Sequence, residues 1–192
     1  MKMHLLRIFV SFAVGCGIAP AQMNHAANPE PKPAFVFRDV SYFYRWSKND
    51  QTEFTPEKQE DLNKWSDMIT VNAYPDVRDG EQLAAAANAV LENYKSHQGI
   101  VLKTRSVPRS ADRAAEHFIA VKFTRPGFIE VALARFKLVD GKGCSFVYSH
   151  RVYGEKIGEQ MKTWLSADGN EVETALTEWD LPSPASLRRE RL

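Results

Sequence analysis

The chain has 192 residues with 25 basic and 24 acidic side chains, a near-neutral balance without the electrostatic footprint of a nucleic-acid binder. Its two cysteines are too few for a cysteine-rich zinc site or an Fe–S cluster.

The N-terminus, MKMHLLRIFVSFAVGCGIAPAQ, has Lys2 and Arg7 before an apolar run from Ile8 to Ile18, then the small residues Ala19 and Ala21 around Pro20. This is the layout of a secretory signal peptide over residues 1–21, with a run too short to span a bilayer. Ala13-Val14-Gly15-Cys16 offers the alternative of lipoprotein cleavage before Cys16, the one route to membrane attachment. Cleavage after Ala21 leaves 23 basic against 24 acidic residues and Cys144 as the sole thiol.

Residues 22–34 contain three prolines and read as a flexible leader. A single domain is expected over residues 35–181, followed by a disordered tail, 182–192. FVFRDVSYFYRW, Phe35 to Trp46, is dense in aromatic and β-branched residues and reads as one or two strands. Thr55-Pro56 looks like an N-cap followed by Pro at the first helical position, so a short helix is expected through Trp65. Asp67 to Tyr74 alternates into a strand.

Asp79 caps the clearest helix, with Gln82 as its capping-box partner and Leu83, Ala87, Val90, Leu91 and Tyr94 on one face; Gly99 ends it. Four strands follow: Ile100–Val107, Glu116–Phe123, Phe128–Val139 and Cys144–Tyr153. Hairpin-length Gly-containing connections follow the second and third, and the four are expected to form an antiparallel meander. Two helices close the domain, one carrying Ile157, Met161, Trp164 and Leu165 and ending near Gly169, the next capped by Asn170 with Glu173 and carrying Val172, Leu176 and Trp179. The order gives an α+β fold, an antiparallel sheet packed by helices.

VNAYP (Val71–Pro75), the helix LAAAANAVLENY and the DGKG turn leading into FVYSHRVYG resemble the PsbP-like fold of the PsbP photosystem subunit and the DcrB-type bacterial envelope proteins, over roughly Phe35 to Trp179. The resemblance implies a sheet between helices and a binding, assembly or chaperone-like role. It carries no catalytic motif and no cofactor.

The chemistry-bearing stretch is Cys144–Tyr153. Strand alternation sends Ser149 and His150 to opposite faces, and six residues at ~3.3 Å each put Cys144 about 20 Å from His150. Neither pair is a nucleophile and its base. Cys144 reads as a buried structural thiol. His150 remains open to a partner from another strand, with Glu116, His117 and Asp67 as candidates. No metal-ligand spacing occurs among the histidines, and Asp50, Glu53, Glu57, Glu60 and Asp61 read as a solvated helix face rather than a calcium loop.

The aromatic run places Tyr42, Tyr44 and Trp46 on one strand face, a core surface or a platform for a partner. The expected function is thus an exported, non-enzymatic binding or accessory protein of the cell envelope that engages another protein. Tyr42, Tyr44, Trp46, His150 and Arg151 are its candidate contacts. The alternatives are a small hydrolase or metal-assisted enzyme built on His150 and an acidic partner, and a toxin-neutralising protein.

Overall fold

The computed structural model describes residues 32–111 and 113–187. The expected signal peptide, Cys16, residues 22–31 of the Pro-rich leader and residues 188–192 of the expected tail lie outside them.

The elements run β1 (Phe35–Phe37), β2 (Val40–Lys48), β3 (Gln51–Pro56), β4 (Asp67–Tyr74), α1 (Gly80–Ser96), β5 (Ile100–Val107), β6 (Glu116–Arg125), β7 (Phe128–Val139), β8 (Lys142–Tyr153), α2 (Ile157–Trp164), α3 (Asn170–Glu178) and α4 (Pro184–Leu187). All eight strands form one antiparallel sheet in the order β1-β2-β3-β4-β8-β7-β6-β5, so the fold is α+β. Two meanders of neighbouring strands meet where β4 pairs with β8. That pairing moves β8 from the end of a meander to the centre of the sheet.

Turn chemistry explains the hairpins. Arg38 and Asp39 both take positive φ between β1 and β2, as do Asp140 and Gly141 between β7 and β8. Two consecutive left-handed residues make the turn whose twist matches the strands it joins. Pro126 followed by Gly127 at φ 87° serves β6 and β7 in the type II manner.

Helices cover both faces. On one face α1 buries Leu83, Ala87 and Tyr94 against Ile119, Val121, Ala132, Ala134 and Val147. Asp79 Oδ1 accepts from Gln82 N at 2.8 Å, and Gln82 Oε1 reaches back one residue further than expected, to Arg78 N at 2.6 Å. The left-handed residue after the helix is Gln98, not Gly99. Gly99 is needed for space, since a Cβ there would sit 2.7 Å from Tyr94 O.

On the other face the C-terminal helices bury Met161, Val172 and Leu176 against Ile69, Val71, Phe118, Val131, Phe146 and Tyr148. Here the structure corrects the sequence. Gly169 does not stop the first helix and Asn170 does not cap the second; both are right-handed helical. A π turn, Leu165–Gly169, joins α2 to α3. Ile157, Met161, Leu165 and Gly169 repeat every four residues, longer than the α-helical 3.6, and the wider i→i+5 turn takes up that drift. Glu173, freed from a cap, pairs with Lys103 Nζ at 2.8 Å.

Thr55-Pro56 starts no helix. Thr55 is fully buried in β3 opposite Phe43, and residues 57–66 form a loop held by side chains. Arg45 donates to Thr55 Oγ1 at 2.8 Å, to Pro56 O at 2.9 Å and to Glu57 O at 2.8 Å. Gln59 Oε1 accepts from Ser66 N and Asp67 N. The capping signal was local, and the strand pairing that overrode it is not. The acidic residues expected on that helix are accordingly dispersed: Glu53 lies in β3, Asp61 Oδ1 accepts from Asn63 N, and Glu60 approaches Arg45. Past residue 181 the chain forms the helical turn α4, with Leu187 buried, so order extends into the expected tail.

Candidate functional site

Strand pairing decides what His150 touches. In the β4–β8 register Asp67 stands directly opposite His150. Asp67 Oδ1 receives His150 Nδ1 at 2.9 Å and the Tyr148 hydroxyl at 2.6 Å. Tyr148 and His150 are two residues apart on one strand and so share a face. Trp164, at the end of α2, stacks on the imidazole with centroids 4.2 Å apart and planes 7° from parallel. The Gln59 amide reaches Asp67 Oδ2 at 3.4 Å.

The charge state of Asp67 follows from these contacts. Burial alone would raise its pKa, but the hydrogen bonds from His150, Tyr148 and Gln59 outweigh it and hold the carboxyl below its ordinary value. Burial and the neighbouring Asp67 charge push the Tyr148 hydroxyl well up, so it remains a proton donor.

Beside this carboxylate lies a cavity of about 270 Å³ lined by Phe37, Arg38, Val40, Tyr42, Pro56, Asp67 and Tyr148. Its outer wall is the β1–β2 hairpin. Arg38 at the hairpin tip donates to Glu171 at 2.9 Å and lies 3.6 Å from Asp168, which ties the hairpin to the π turn and α3. Tyr42 is only 2% exposed, yet its hydroxyl hydrogen-bonds no group among the described residues.

The other sequence candidates separate from this site. Tyr44 is half-buried on the same face as Tyr42, edge-on to Phe54. Trp46 does not stay with them: a β-bulge between Tyr44 and Trp46 skips a residue, so Trp46 pairs with Glu53 on the α1 face and is exposed. Arg151 also faces away from His150. Its guanidinium lies between the rings of Trp65 and Phe128, 3.9 and 4.5 Å from their centroids, and its Nε binds Glu130 at 2.8 Å.

Glu116 and His117 do not reach His150 either. Arg135, 4% exposed, holds Glu116 through Nε at 2.9 Å and Nη2 at 3.2 Å, and its Nη1 donates to Leu176 O and Trp179 O at the end of α3. His117 Nδ1 meets Ser106 Oγ at 2.9 Å. Cys144 is buried, its thiol directed at Lys137 O, and burial pushes its pKa up to about 12. Such a thiol is not a nucleophile at neutral pH. Among the described residues no group of three His, Cys, Asp or Glu side chains is placed to hold a metal ion. Nor is any helix there long and apolar enough to cross a membrane.

Sequence reasoning named Asp67 among the partners for His150 but had no means of choosing it. It missed Phe37, Arg38, Tyr148 and Trp164. The one available signal was the i, i+2 spacing of Tyr148 and His150, which guarantees a shared face.

No curated protein matches the chain by sequence. Among solved structures it is similar to the Saccharomyces cerevisiae Ran-binding protein Mog1p, at 12% identity and a TM-score of 0.47 over 71% of this chain and 82% of that one. A mutant form of the protein Mog1 matches at 9% identity and 0.45, over 71% and 83%. Human STARD10 matches at 10% identity and 0.30, over 72% and 74%. A protein-family model matches residues 29–180, the greater part of the chain, and the chain belongs to that family.

Proposed function

We propose that this is a non-enzymatic binding or accessory protein with a PsbP-like architecture, exported to the cell envelope, which engages another protein through the hairpin–helix face around the Asp67 cavity. The observation that carries the reading is the composition of that cavity. It presents binding groups, Tyr42, Tyr148, Asp67 and the apolar Phe37, Val40 and Pro56, while Ser149 and Cys144 are buried elsewhere. Export rests on the leader sequence, residues 1–21.

The test has two parts. Mass spectrometry of the mature protein reads the N-terminus, with Gln22 expected and an acylated Cys16 pointing to the lipoprotein route. Affinity capture from envelope extract, followed by reconstitution from purified components, is expected to yield a stoichiometric protein partner. If no partner is reconstituted, the reading is overturned.

One contact favours the enzymatic alternative: the 2.9 Å Asp67–His150 hydrogen bond has the geometry that orients a general base. A His150→Ala variant that still complements a knockout removes that alternative.

A further inference from the structure

The proposed partner surface rests on a cavity whose polar groups have a specific unmet demand. Asp67 is ionised and its side chain is 26% exposed, at the cavity. Its Oδ1 already accepts two hydrogen bonds, whereas Oδ2 has, among the described residues, only the long contact from Gln59. Tyr148 donates its proton to Asp67, which leaves its oxygen free to accept. The Tyr42 hydroxyl has no hydrogen-bond partner among the described residues and can accept as well. The cavity therefore offers three acceptors: Asp67 Oδ2, Tyr42 Oη and Tyr148 Oη.

The rings of Phe37, Tyr42 and Tyr148 line the same cavity. Val40 and Pro56 supply an apolar flank. Arg38, the cation of the lining, is engaged by Glu171 and Asp168. With Arg38 so paired, Asp67 is the anionic group of the lining.

We infer that this cavity receives a lysine side chain of the protein partner, the ammonium on Asp67 and the two tyrosine oxygens and the methylene stem against Val40 and Pro56. An ammonium has three donors and no acceptor, matching three acceptors one for one. A guanidinium is the poorer fit, because its planar fork needs both carboxylate oxygens and Oδ1 is already saturated. The cavity lies just below the usual 300–1,000 Å³ range of small-molecule pockets, which suits one inserted side chain.

The inference rests on the binding-protein reading, and the test separates the two. The probe is lysine blocked at both ends, titrated into the full mature chain and followed by two-dimensional NMR. Saturable shifts in the Tyr42 and Tyr148 ring signals are expected, absent with the Nε-acetylated probe. Asp67→Asn is expected to weaken binding about tenfold or more, as loss of a charged hydrogen bond implies. Because that variant also loses internal hydrogen bonds, Tyr42→Phe serves as the second. It removes only the unpartnered hydroxyl and is expected to weaken binding about fivefold with an unchanged melting temperature.

Binding indifferent to Nε-acetylation, or to both substitutions, overturns the inference, as does an absence of saturable shifts at roughly 50 mM probe. A reconstituted partner held equally by wild type and both variants overturns the lysine site and leaves the binding-protein reading standing. Equal binding of free n-butylammonium and blocked lysine supports the ammonium site. If no partner is then reconstituted, partner delivery is overturned and the site is one for free amines.

Discussion

Asp67 and Glu116 make an informative pair. Each opens a strand, β4 or β6, and each faces the C-terminal helices. Each is held below its ordinary pKa against the opposing effect of burial. The difference lies in the partners. Glu116 is clasped by Arg135 and Lys137, and Arg135 spends its remaining donor on the terminal carbonyls of α3. Arg135 makes four hydrogen bonds there, two to Glu116 and two to α3 carbonyls, and the cluster fastens a helix to the sheet. Asp67 is held by an imidazole, a phenol and an amide, and one carboxylate oxygen keeps spare capacity beside a cavity. Two carboxylates on one sheet face thus become a fastener and a candidate contact.

The largest effect should come from opening the fastener. Arg135→Leu leaves Glu116 with only the half-exposed Lys137 as counter-charge and two helix-end carbonyls without their donor, and is expected to cost about 3 kcal/mol in chemical denaturation. Adding Glu116→Leu should recover most of that loss. A double variant no more stable than Arg135→Leu would mean that the carbonyl contacts, not the ion pair, dominate.

Asp67→Asn should cost less, about 1–3 kcal/mol, because it is held by hydrogen bonds from a phenol, an imidazole and an amide rather than by a guanidinium. The pH dependence has a definite sign. A carboxyl whose folded pKa is lowered contributes stability that is fully present above its unfolded value, about 3.9, and lost as the pH falls through the folded one. The stability gap between wild type and Asp67→Asn should therefore shrink as the pH falls below about 4. A gap that widens in acid would show that Asp67 is not held as the carboxylate.

The smallest effect belongs to Arg38→Ala. Its partners Glu171 and Asp168 are largely exposed, so the loss should be under about 1 kcal/mol and decline with added salt. A salt-insensitive loss would place the contribution in hairpin packing instead.

Local features were readable from the sequence. The Asp79–Gln82 cap, the Asp140–Gly141 turn and the alternation of residues 144–153 each depend on residues within a few positions of one another. Beyond the Gly169–Asn170 boundary, what failed depended on distant chain. Thr55-Pro56 mimicked a helix start until pairing with β2 claimed it. The bulge that removes Trp46 from the Tyr42–Tyr44 face leaves no mark in the aromatic run. Asp67 meets His150 across 83 residues of sequence, and no periodicity within either strand encodes that pairing.

The single seam between β4 and β8 also bears on how the chain assembles. Both meanders are built from neighbouring strands, so their loop-closure costs are small, whereas the seam closes a very long loop. The order expected is two partly formed ribbons first and the seam last. Ile69→Val at the seam should then speed unfolding and spare the folding rate, while Ile119→Val within the β5–β8 ribbon should slow folding. Chevron kinetics on the two variants decide the matter; equal folding-rate changes would mean that the sheet forms as one unit. Under the expected order the Asp67 cavity, which lies against the seam, is among the last features of the molecule to exist.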